Sequence, residues 1–128
     1  AGSSPTWLTS LGNILYFAAN DGTNGIELWK SDGTAAGTTM VMDIFEGSSG
    51  SSPSDITVHG DEVFFRAENA SYGIEMWRSD GTANGTSLPK DLSYGEGWGY
   101  PHEFTFIGNV MYFVANDGNG YELWKYSL

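Results

Sequence analysis

Residues 25 to 34 read "GIELWKSDGT", residues 73 to 82 read "GIEMWRSDGT", and residues 120 to 124 begin the phrase a third time with "GYELW". Laying the 128-residue chain on itself at an offset of 48 aligns Pro5 with Pro53 and Pro101, and Gly12 with Gly60 and Gly108. The pair Tyr16-Phe17 meets Phe64-Phe65 and Tyr112-Phe113. One deletion near Asn119 then brings Glu27 and Trp29 onto Glu75 and Trp77, and onto Glu122 and Trp124. Internal repetition at this period marks a stacked or radial array. The repeats run over 1–48, 49–96 and 97–128 of a single repeat domain, the third ending before a Ser-Asp-Gly-Thr of its own.

Working outward from the quoted phrase, each repeat divides into four short strands. The first covers 7–11, followed by Gly12-Asn13, a two-residue turn of the kind hairpins prefer. The second covers 14–19, and positions 15, 17 and 19 are apolar in all three copies, which identifies them as the better-buried face. The third strand covers 26–30 and places Glu27 and Trp29 on one face, with Ile26 and Leu28 on the other. Asp32 and Gly33 supply turn chemistry, a side-chain acceptor and a positive φ, that reverses the chain into a fourth strand over 39–44. In the second copy this strand would contain Pro89, so it belongs at a sheet edge. Gly/Ser-rich linkers at 46–54 and 93–100 join the repeats.

The expected fold is therefore all-β: three four-stranded antiparallel meanders resembling propeller blades, the third without its last strand. A three-sheet β-prism and a β-trefoil are the alternatives. Eighteen glycines and an aromatic content of 15% agree with short strands and tight turns rather than helices. Sixteen acidic against five basic side chains give a formal charge of −11, which disfavours nucleic acid and anionic membrane surfaces as partners and suits a solvated acidic exterior. No apolar run is long enough to enter a bilayer as a helix. With no cysteine, disulfides, thiolate metal sites and Cys nucleophiles are excluded.

The string Glu-Leu-Trp-Lys-Ser-Asp-Gly-Thr, followed by Gly37-Thr38, an Asp43-containing strand and a Gly/Ser linker, resembles the ELWxxDGT repeat of large bacterial secreted or cell-surface proteins. The resemblance covers nearly the whole chain, with departures at Met76 and at Glu68-Asn69. It implies an extracellular, propeller-like module and carries no reaction or ligand with it. The start at Ala1 reads as a processed or excised N-terminus. The stretch 12–29 is also faintly similar to monocot mannose-binding lectins, whose Gln/Asp/Asn/Tyr sugar motif is missing.

Three blades are too few to close a propeller, so a homo-oligomer, a dimer above all, is the expected partner arrangement. The final strand, carrying Trp124, would otherwise present an open edge. Repeated Glu27, Glu75 and Glu122 stand beside Trp29, Trp77 and Trp124 and are expected to tie down backbone N–H groups of the adjoining loop, as Asp32 and Asp80 hold their turns. The motifs require no cofactor. Calcium is the ion their oxygen-rich loops would take, through Asn20, Asp21 and Glu27, and through Asn116, Asp117 and Glu122. Aromatics outside the repeated strands, Tyr72, Tyr94, Trp98 and Tyr100, are the candidates for stacking on a sugar or anchoring a protein. His59 and His102 do not repeat, and no nucleophile with its base is readable. The sequence thus points to a non-enzymatic binding or adhesion module outside the cell, ahead of a purely structural subunit, a prism-like lectin and, last, an enzyme scaffold.

Overall fold

The computed structural model describes residues 2–89 and 99–128, and all regular structure among them is β. Sheet one comprises β1 (Thr6–Leu11), β2 (Ile14–Asn20), β3 (Ile26–Ser31) and β4 (Thr39–Met42), paired in chain order. Sheet two repeats this with β5 (Ser54–His59), β6 (Glu62–Asn69), β7 (Gly73–Ser79) and β8 (Thr86–Ser87). Sheet three has β9 (His102–Ile107), β10 (Val110–Asn116) and β11 (Tyr121–Ser127). All strand pairings within the three sheets are antiparallel, and the register repeats as well: Phe17 lies opposite Trp29, Phe65 opposite Trp77, and Phe113 opposite Trp124.

That register gives every sheet two faces, because side chains alternate along a strand. The front carries Phe17 and Trp29 or their equivalents. The back carries Tyr16 and Leu28, Phe64 and Met76, or Tyr112 and Leu123. One core joins Tyr16, Leu28, Val41 and Ile44 of the first repeat to Ile56, Val63, Phe65, Ala67 and Trp77 of the second. A second core joins Phe64 and Met76 to Phe104, Met111, Phe113 and Ala115 of the third. The back of each sheet therefore packs on the front of the next. A prism would gather one face of each sheet around a shared core. Here the middle sheet is buried on both faces, and the three sheets close no barrel.

The first strands lie side by side along this stack, β1 against β5 and β5 against β9. Thr9 Oγ1 donates to Ile56 O at 3.2 Å, His59 Nε2 lies 2.7 Å from Gly108 O, and the His59 ring stacks on Phe106 at 4.2 Å. His59 closes β5 and His102 opens β9, as their positions in the repeats suggest.

Burial differs from the expected pattern in one place. Positions 63, 65, 67 and 111, 113, 115 are buried, but Leu15 and Phe17 in sheet one are only half-buried while Tyr16 and Ala18 are buried. The reason is positional: sheet one has a neighbour on its back and none on its front among the described residues. The fourth strands are also shorter than expected, ending at Met42 and at Ser87, so Pro89 lies beyond the ladder it would have interrupted.

A further regularity was not expected. Trp7, Asp55 and Glu103, at one repeat position, have φ of 58°, 55° and 57°, each at a bulge where the first strand slips against the second. The left-handed conformation is costly for residues with a Cβ, about 1–2 kcal/mol each. A Thr follows two residues on each time: Thr57 Oγ1 donates to Asp55 O at 2.9 Å, Thr9 Oγ1 shares its one proton between Trp7 O at 3.0 Å and Ile56 O, and Thr105 Oγ1 stands 3.5 Å from Glu103 O.

Candidate functional site

Glu27 projects from the front of β3 and is fully buried. The linker leaving β4 wraps over it: Oε2 accepts from Ile44 N at 3.2 Å, and Oε1 accepts from Phe45 N and Ser51 N, both at 3.1 Å. The Ser51 hydroxyl donates to Oε2 as well. Burial pushes the Glu27 carboxyl above the ordinary value of 4.5, against the opposing pull of the Ser51 hydroxyl and the three amides. The same linker reaches sheet two, where Asn69 Nδ2 donates to Ile44 O at 3.1 Å and Glu68 N to Ser51 O at 2.8 Å. Glu27 thus ties the linker between the two sheets to β3. Glu75 is equally buried, whereas Glu122 is exposed.

The two Ser-Asp-Gly-Thr turns are closed by the same internal bonds. Asp32 Oδ1 accepts from Thr34 Oγ1 at 2.6 Å and Thr34 N at 2.9 Å, and Asp80 accepts from Thr82 with the same distances. The Thr hydroxyl first, then the Thr amide, holds each carboxyl below its usual range. What differs is the surroundings. Lys30 Nζ, from the back of sheet one, donates to Gly81 O at 2.7 Å. The Tyr16 hydroxyl lies where a Cβ on Gly81 would stand, and burial, followed by the Asp80 charge, raises its pKa. Gly33, the equivalent residue, is exposed, and a Cβ there would meet nothing within 4 Å.

Both glycines have nearly the same positive φ, 93° and 92°, so alanine should strain both turns alike. Gly81→Ala must also push the Tyr16 hydroxyl aside. In dilute protein it is expected to cost about 1–2 kcal/mol more than Gly33→Ala, measured by urea unfolding. Equal costs would show that Tyr16 does not press on this turn.

Several residues singled out from the sequence are engaged locally. Asn20 Oδ1 accepts from Gly22 N, and Asp21 from Thr23 N and Asn24, each oxygen closing its own turn. Asn116 and Asp117 do the same for Gly118 and Asn119. Glu27 is turned to the linker rather than to the Asn20-Asp21 loop, and no group of three or more His, Asp or Glu side chains is poised for a metal among the described residues. Tyr72 projects into solvent on the turn between β6 and β7. Tyr100 borders a small cavity of about 130 Å³ with Ser52, Arg66 and Glu68. Tyr94 and Trp98 lie outside the described residues. Trp29 is half-buried, Trp77 is buried, and Trp124 is half-buried with Nε1 donating to Ala115 O at 3.2 Å.

The residues that sequence reasoning missed lie on the back of sheet three. Leu28 and Met76 are 0% exposed, and Leu123, their equivalent, is 73% exposed. Around it Tyr112, Trp124 and Lys125 line a shallow depression of about 240 Å³. At the other end of the stack, the front of sheet one leaves Leu15, Phe17 and Trp29 half-buried where Val63, Phe65 and Trp77 are buried. The signal available in the sequence was apolar identity at a position whose neighbour is absent. Compared with protein-family models, curated proteins and solved structures, the chain finds no match in any of the three.

Proposed function

We propose that this chain is a non-enzymatic β-repeat module of the cell exterior, completed by self-association and serving binding or adhesion toward a protein or glycan. The observation that carries the reading is the fate of one repeat position: Leu28 and Met76 are sealed inside the stack, and Leu123 stands open to water. Apolar side chains gathered on an unpaired sheet face mark an interaction surface, and β11 adds an outer edge that pairs with no strand among the described residues. The repeated acids support a structural reading of the motif, since Glu27, Asp32 and Asp80 spend their oxygens on backbone and hydroxyl donors. The likeness of the repeat to ELWxxDGT proteins and the acidic composition support the extracellular, propeller-like part of the proposal. Tyr72, exposed on the turn between β6 and β7, offers an aromatic face to a ligand. No helix among the described residues is long and apolar enough to cross a membrane.

Light scattering across a range of micromolar concentrations tests self-association. The expected mass is twice that of the chain. One chain's mass at every concentration would contradict the proposal.

A further inference from the structure

The two ends of the stack are complementary in a specific way. In sheet one, Tyr16 and Lys30 lie opposite each other in the ladder, and together they cover the Ser-Asp-Gly-Thr turn of sheet two. Sheet two, whose neighbour has no such turn, carries Phe64 and Arg78 at these positions. Arg78 stays within its own sheet, with Nε 3.1 Å from Glu62 Oε2 and the guanidinium over the Phe64 ring at 5.5 Å. Sheet three returns to the first pair: Tyr112 lies opposite Lys125, beside Leu123 in the Leu28 position.

A Tyr/Lys pair thus occurs once where a Ser-Asp-Gly-Thr turn follows, and once more at the exposed back of sheet three. One such turn, at residues 31–34, is left uncovered at the exposed front of sheet one. We infer that a second copy of this chain docks head to tail, its sheet-one front on the back of sheet three, with Tyr112 and Lys125 covering its Asp32-Gly33 turn. The inference rests on the self-association proposed above and specifies its geometry.

Three observations converge on that occupant. The contact continues the back-on-front packing already made twice within the chain. Leu15, Phe17 and Trp29 offer the side chains that sheet two offers to Tyr16 and Leu28. Lys125 would approach Asp32 as Lys30 approaches Asp80, whose ionised form Lys30 favours. The contact is heterologous, so two chains joined at both ends form a closed ring of six sheets.

The test uses the whole chain and two single-face variants, with native mass as the readout and circular dichroism confirming the fold. Leu123→Glu alters the tail, where the side chain is already in water; Phe17→Glu alters the head. Each variant alone is expected to be monomeric. An equimolar mixture is expected to restore a two-chain species, because the head of the first and the tail of the second are both native. Gly33→Ala serves as a second head variant, since its methyl meets nothing in its own chain and would run into Tyr112 of a docked copy. Lys125→Met should weaken association about tenfold by removing a charged donor to a carbonyl. If both head variants still associate while Leu123→Glu does not, the copies meet tail to tail and the inference fails while self-association stands. A mixture that stays monomeric also overturns it. Monomeric wild-type protein would remove the reading on which it rests.

Discussion

Glu27→Ala is expected to lower the unfolding free energy by about 3–5 kcal/mol, because two buried backbone amides and one part-buried one lose their acceptor at about 1–3 kcal/mol each. Glu27→Gln should cost less but still clearly, since it keeps one acceptor oxygen and turns an NH₂ toward donors. Glu122→Ala, the same repeat position in solvent, should change stability by no more than about 0.5 kcal/mol. Chemical denaturation of the three variants checks this ordering. A Glu27→Ala variant as stable as wild type would mean that the linker is held by other contacts.

The same residue sets a pH dependence. Its folded pKa lies above that of the unfolded chain, so its contribution is complete below 4.5 and is lost as pH rises through the folded value. Asp32 and Asp80 act in the opposite sense: their folded values are lowered, and their contribution is present above 3.8 and lost as pH falls. Stability should therefore peak in mildly acid solution, and Glu27→Gln should remove the part of the decline toward neutrality that Glu27 causes.

Phe65→Ala is expected to cost about 3–5 kcal/mol, since its ring is fully enclosed between sheets one and two and truncation leaves a cavity. Phe17→Ala, one repeat earlier, should cost only about 1 kcal/mol in dilute protein, where its ring borders water. The difference should narrow as concentration rises, because a docked copy would enclose Phe17 and link its contribution to association. Equal costs at every concentration would show that the front of sheet one is buried within the single chain.

Much of this architecture was legible in the sequence because the repeat writes it three times. The offset aligned the Phe/Trp register, and Asp-Gly pairs announced the turns. Proline at position 89 pointed to a fourth strand at the sheet edge, and that strand stops at Ser87 before reaching it. What remained hidden depended on neighbours. Leu15 and Phe17 have the apolar alternation of Val63 and Phe65, yet whether such a face is covered depends on the sheet beside it, and periodicity within a strand does not report that. The bulges at Trp7, Asp55 and Glu103 escaped notice because three chemically unrelated side chains share a backbone conformation. The recurring Thr9, Thr57 and Thr105 were the available sign. The loop oxygens of Asn20, Asp21, Asn116 and Asp117 have the composition of a metal site, and composition does not report the hydrogen bonds that they make within their own turns. The pairing of Tyr16 with Lys30 acquired meaning only when Gly81 of the next repeat was seen beneath them.

The most direct measurement is hydroxyl-radical footprinting of the unmodified chain at concentrations below and above those at which it associates. Oxidation of Leu123 and Tyr112 at one end, and of Phe17 and Trp29 at the other, should fall together as concentration rises, while exposed Tyr72 stays constant. Oxidation of Leu123 that is independent of concentration, or that falls without a matching change at Phe17 and Trp29, would contradict the head-to-tail account.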